Sequence, residues 1–127
     1  QDMRRLIEID PENAHAYNAL GYTLADKTDR LTEALELIEK ALALLPGDPF
    51  ILDSLGWVHY RRGDLDLALE YLQLAMDQRP DAEIAAHLGE VLWQLGDKEQ
   101  AITAWQNGRQ NDPDNSILND TMRKFGQ

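Results

Sequence analysis

Four prolines set the strongest limit on what this chain can fold into. Pro11, Pro46, Pro80 and Pro113 stand 35, 34 and 33 residues apart. Gly21, Gly56 and Gly89 keep spacings of 35 and 33, and Ala34, Ala68 and Ala101 keep spacings of 34 and 33. Three residue types that hold one period at fixed relative offsets define an internal repeat. A unit of about 34 residues cannot bury its apolar face alone, so such units must stack on one another.

Each unit reads as two helices. Tyr17, Leu20, Gly21 and Leu24 recur at i, i+3, i+4 and i+7, one face of a 3.6-residue helix. The matching sets are Leu52, Leu55, Gly56, His59 and Ala85, Leu88, Gly89, Leu92. A glycine inside a helix costs about 1 kcal/mol against alanine, so a glycine kept at one place in three helices predicts a close helix–helix approach there. The second helices carry Ala34, Ile38, Ala41, then Ala68, Leu72, Ala75, then Ala101, Trp105, Gly108. Small residues alternating with a large one suit interdigitating helices. Asn13, Asp48 and Asp81 stand where they would cap the first helices, and Pro49 suits the first helical position. Gly63-Asp64 and Gly96-Asp97 read as turns in which Gly ends one helix and Asp caps the next. The first unit has Asp26-Lys27-Thr28-Asp29-Arg30 in that place.

These residues resemble the tetratricopeptide repeat, whose signature is W-x2-L-G-x2-Y, then A-x3-F, then P. The copies here are Tyr17-x2-Leu20-Gly21-x2-Leu24 with Ala34-x3-Ile38 and Pro46, and Leu52-x2-Leu55-Gly56-x2-His59 with Ala68-x3-Leu72 and Pro80. The third is Ala85-x2-Leu88-Gly89-x2-Leu92 with Ala101-x3-Trp105 and Pro113. The resemblance implies an all-α fold, a right-handed superhelical solenoid of antiparallel helix pairs, with the first helices on the concave side. It divides the single domain into residues 1–13 (second helix of a preceding partial repeat), 14–48, 49–81, 82–115 and a closing helix at 116–127. The stretches around Leu20-Gly21, Leu55-Gly56 and Leu88-Gly89 are further similar to the carboxyl-terminal repeats of large proteobacterial proteins, some of them envelope lipoproteins that bring a protease to its substrates. That likeness implies a bacterial protein at the periplasmic or outer-membrane periphery and a fragment of a longer stack.

Lys and Arg number 12 and Asp and Glu 23, so the net charge is −11, which argues against general nucleic-acid binding and against docking on an anionic membrane. No cysteine is present, which excludes a Cys-containing zinc site, a disulfide framework and thiol catalysis. No HExxH, no Gly-rich phosphate loop with Lys and no GxSxG occurs, so neither cofactor nor metal nor enzymatic role is expected. His15 and His87 read as surface residues and His59 as a half-buried, hydrogen-bonded one. The carboxylates read as caps and solvated faces. Arg62-Gly63-Asp64 is explained by its helix turn.

The expected function is therefore protein–protein interaction. About a third of a turn from the core face, Asn18 and Tyr22 share a stripe with Asp53, Trp57, Tyr60 and with Glu90, Trp93; Asp26, Arg61 and Gln94 flank it. Aligned aromatics there predict a groove for a peptide or helix. Asp53 and Glu90 would favour a neutral or basic partner and repel a terminal carboxylate, the ligand of chaperone-binding repeats. Three alternatives compete: the rings fill the seams between neighbouring first helices, a longer protein covers the stripe itself, or the stripe serves self-association. Leu6, Ile7 and Ile9 would pack on an earlier repeat, so an exposed amino-terminal helix also offers a route to a homodimer. Ile117, Leu118, Thr121, Met122 and Phe125 gather on one side of a closing helix.

Overall fold

A computed structural model describes residues 2–127, and among them the chain forms eight helices. They are α1 (Asp2–Ile9), α2 (Ala14–Lys27), α3 (Leu31–Leu44), α4 (Pro49–Arg61), α5 (Leu65–Gln78), α6 (Ala82–Gln94), α7 (Lys98–Asn111) and α8 (Ser116–Lys124). The pairs α2/α3, α4/α5 and α6/α7 are antiparallel hairpins, and α2, α4 and α6 follow one another along the inside. No helix among the described residues is long and apolar enough to cross a membrane.

The helix limits follow from capping. Asn13 Oδ1 accepts the N–H of Ala16 at 3.1 Å, and the carboxylates of Asp48 and Asp81 each accept two backbone N–H groups at the starts of α4 and α6. Asp64 and Asp97 cap α5 and α7 in the same way. Before each of these, Gly63 and Gly96 take φ of +89° and +93°, a left-handed conformation that favours glycine. Their N–H groups and those of the following Asp residues bond back to the carbonyls of the preceding helix, closing a Schellman motif twice. The first hairpin differs. Arg30 precedes α3 without a side-chain cap, and Thr28 Oγ1 instead accepts the Arg30 N–H at 3.0 Å.

The repeated small residues are where helices touch. Ala34, Ile38, Ala41, Ala68, Leu72, Ala75, Ala101 and Trp105 are all fully buried. A Cβ added at Gly21 would sit 2.6 Å from Ile38 Cγ1, and one at Gly56 would sit 2.7 Å from Leu72 Cγ. At Gly89 it would run into the indole of Trp105 still more closely. Trp105 fills that space in a fixed pose: its Nε1 donates to the Ala86 carbonyl, and its ring stacks on Trp93 and Phe125.

The solenoid is tightly wound. Along α4 every residue from Ile51 to Val58 is buried, and α6 is buried from Ala82 to Leu92 except at Glu83. These inner helices are covered nearly all round, unlike an amphipathic surface helix with one dry stripe. At the carboxyl end α8 packs on α6 and α7 through Leu118 and Met122. At the amino end α1 rests on α2, Arg4 pairs with Glu33 of α3 at 2.5 Å, and Ile7 is half-buried against the first core. The side chains of Leu6 and Ile9 fall outside the described residues.

Candidate protein-interaction site

The inner faces of α2, α4 and α6 converge on a polar network with aromatic walls. His87 from α6 is buried, and its Nδ1 donates to Asp53 Oδ1 of α4 at 2.8 Å. Its Nε2 lies 3.3 Å from the Tyr22 hydroxyl of α2, and its ring stacks on Trp57 at 4.2 Å between centroids. Trp57 Nε1 donates to Asp26 at 3.3 Å. Tyr60, whose ring lies 4.9 Å from Trp57, donates its hydroxyl to Glu90 at 2.8 Å, and Lys124 of α8 donates to the same carboxylate at 3.2 Å. Arg61 is exposed, and its Nε donates to the Ala25 carbonyl, tying α4 to α2.

Burial and charge act together on these groups. Burial lifts the Tyr22 phenol well above its usual range, and the charges of Asp26, Glu83, Asp53 and Glu90 push it the same way. Tyr60 is raised by burial and by its bond to Glu90. Burial alone would lower His87, but the charge and hydrogen bond of Asp53, with Glu83 and Glu90 behind them, outweigh it and hold the imidazole above its ordinary value. Glu83 is raised by burial first. Removing one member of a buried pair such as Asp53–His87 strands the other, which typically costs about 3–5 kcal/mol.

Several sequence expectations change here. Asp53 is 3% exposed and lies beneath the surface, while Trp57 and Glu90, at 7% and 5%, reach the surface only at the edge of one cleft. Trp57 packs between the inner helices against His87 and also presents an edge to that cleft. Asp53 and Glu90 are engaged by His87, Tyr60 and Lys124, so their charges are not free to select a basic partner. Trp93 leaves the stripe altogether and joins Trp105 and Phe125, with the Lys98 ammonium 4.9 Å above its ring. Asn18 is half-buried, and its Oδ1 finds no hydrogen-bond partner among the described residues. His87 is a core residue, not a surface one. His59 is half-buried as expected, but it stacks on Tyr71 at 5.7 Å between centroids.

Two openings remain accessible: a cleft of about 380 Å³ between the inner helices and α8, and a smaller one of about 300 Å³ lined by Tyr60, Arg61 and Gln94. Tyr22, Trp57, His87 and Glu90 form the wall of the larger cleft, Ile117 and Thr121 of α8 face them, and Asp26, Asp120, Lys27 and Lys124 stand around it. Sequence reasoning missed His87 and α8 as parts of this site, whereas Asp26, expected to flank the stripe, does border the cleft. The available signal was spacing: His87 follows Asp53 by 34 residues and Trp57 follows Asp26 by 31, each close to one repeat. The cleft joins an apolar wall to polar groups that are already hydrogen-bonded, a surface for holding a chain segment.

Stacked helical hairpins with such an inner cleft define a helical-repeat scaffold of the kind that mediates protein–protein interaction. The chain belongs to the tetratricopeptide-repeat family, whose sequence profile matches residues 1–49 and 54–116. It is 58% identical over 90 residues, 71% of its length, to a TPR repeat-containing protein of Pseudomonas aeruginosa, and 34% identical over 76 residues, 60% of its length, to bacteriophage adsorption protein A of Escherichia coli. These matches span 15% and 8% of the relatives, so the chain corresponds to a small part of much larger proteins. A thermophilic TPR protein from Thermus thermophilus superposes with a TM-score of 0.80 at 20% identity, covering 96% of this chain and 68% of that one. MamA superposes at 0.70 and 21% identity over 98% and 75%, and the Sgt2 TPR domain from Aspergillus fumigatus at 0.75 and 18% over 87% and 75%. Repeat proteins of this family are in general non-catalytic scaffolds.

Proposed function

We propose that the chain is a non-catalytic adaptor module that holds a short peptide or helix of a protein partner in the concave cleft between α2, α4, α6 and α8. The observation that carries this reading is the cleft wall of Tyr22, Trp57 and His87, facing Ile117 across an opening of about 380 Å³. The wall is rigid before any ligand arrives, because each ring is hydrogen-bonded or stacked within the network. Preorganised walls reduce the ordering cost of binding. The mixed charge of the rim suits a partner segment with both apolar and polar side chains.

Peptide selection from a displayed random library tests this. Peptides enriched on the wild-type chain should lose binding to Tyr22→Ala and Ile117→Glu, changes at half-buried and exposed positions that leave far-UV helicity intact. Enriched peptides that bind both variants unchanged would refute the concave site.

A further inference from the structure

The outer face carries a second groove. Tyr71 of α5 stacks on His59 and covers the seam at that level. One repeat later the corresponding residues are Ala104 and Leu92, with no ring at either place. There the surface opens into two adjoining cavities of about 510 and 530 Å³ between α5 and α7, which share Gln73, Asp77, Leu92 and Gln100. Leu88 and Leu92 of α6 form the floor, and Leu69 and Leu74 of α5 form one wall. Leu74, at 49%, is the most exposed large apolar side chain among the described residues.

The rim is of one sign. Asp66, Glu70 and Asp77 stand along α5, and Asp97 and Glu99 at the start of α7. Among the described residues no lysine, arginine or histidine lines either cavity. Lys98, the cation closest in sequence, is turned away over Trp93. From Asp66 to Asp77 the acidic edge runs about 16 Å, three helical turns.

We propose that this groove is a docking site for a basic amphipathic helix of a partner protein. About three turns of it would set an apolar stripe on Leu69, Leu74 and Leu92 and place Lys or Arg against the acidic edges. Unlike the concave cleft, the groove offers an apolar trough with charge complementarity to one kind of occupant. The two sites lie on opposite sides of α6 and are independent of each other.

The probe is a fluorescein-labelled amphipathic helix of about 14 Leu and Lys residues, about four turns, with a Leu/Glu peptide of the same pattern as control. Fluorescence anisotropy at about 0.15 M salt limits general charge attraction. The wild-type chain should bind the Leu/Lys peptide and not the Leu/Glu one. Leu74→Glu adds a negative charge yet should weaken binding about tenfold or more by removing the apolar wall. Ala104→Tyr, at unchanged net charge, should do the same by refilling the groove, and Tyr22→Ala should bind like wild type. A wild-type chain that does not bind, or a Leu74→Glu chain that binds as well or better, overturns the proposal. So does a peptide-free dimer that Leu74→Glu dissociates in sedimentation, because the occupant would then be a second copy of the chain.

Discussion

Gly89 and Trp105 should behave as one unit, and a double-mutant cycle measures it. In an isolated helix Gly→Ala gains about 1 kcal/mol. Here the new methyl would run into the Trp105 indole more closely than the equivalent methyls meet Ile38 and Leu72. Trp105 cannot swing aside cheaply, since its Nε1 bonds the Ala86 carbonyl, its side chain is fully buried, and its ring packs in a triangle with those of Trp93 and Phe125. Overpacking of a rigid neighbour lies at the upper end of about 1–3 kcal/mol, so Gly89→Ala should destabilise the fold by about 2 kcal/mol net. Trp105→Ala alone should cost about 3–5 kcal/mol through the cavity it leaves. A chain of 127 residues, at about 0.05–0.15 kcal/mol per residue, tolerates that loss. With the indole gone, Gly89→Ala should stabilise by about 1 kcal/mol, which gives a coupling of about 3 kcal/mol. Urea unfolding followed by far-UV circular dichroism reads all four corners. A Gly89→Ala that stabilises equally with and without Trp105 would refute the close-contact explanation of the repeated glycine.

The pH dependence of stability should carry the mark of His87. Its folded-state pKa is raised above the unfolded value of about 6.5, so its contribution is fully present below that pH and lost as pH rises through the folded value. The difference in urea midpoint between wild type and His87→Gln should therefore shrink from about pH 5.5 upward. His59 is lowered by burial and by Arg62, which gives it the opposite slope, but it is present in both proteins and cancels. A pH-independent difference would show that the Asp53–His87 pair does not titrate with folding. Asp81→Ala removes the acceptor of two N–H groups at the start of α6 and should cost about 1 kcal/mol, read as a lower thermal midpoint; an unchanged midpoint would show that water replaces the cap.

The fold was legible because its signals are local or periodic. Leu20-Gly21, Leu55-Gly56 and Leu88-Gly89, the alternation of Ala with a larger residue, and the capping Asn and Asp each depend on a few neighbouring residues, and each does in the structure what its spacing predicts. The site was legible only in part, because its chemistry depends on curvature. A helical wheel places Trp57 and Glu90 on a stripe away from the core. How far neighbouring repeats close over that stripe depends on the superhelical winding, which no single helix encodes. In this chain the winding brings Tyr22 within 3.3 Å of His87, two repeats away, and narrows the stripe to the cleft beside α8. Trp93 escapes it for a local reason: Trp105, where the earlier repeats have Ile38 and Leu72, offers a ring to stack on.

That exchange of bulk links the two faces. In the second repeat the large ring of the outer helix, Tyr71, points to the outer seam, while the inner contact is made by Leu72. In the third repeat the positions are reversed in size: Ala104 stands at the outer seam and Trp105 at the inner contact. The same pair of substitutions therefore tightens the packing against Gly89 and opens the groove beside Leu74. The net charge of −11 is not spread evenly over this arrangement. On the concave side Asp53 and Glu90 are held by His87, Tyr60 and Lys124, whereas along the outer groove Asp66, Glu70 and Glu99 meet no cation among the described residues of its lining. Long-range attraction falls off within about 8 Å at physiological salt, so a basic segment would be selected by contact with that rim and not by the chain's overall charge.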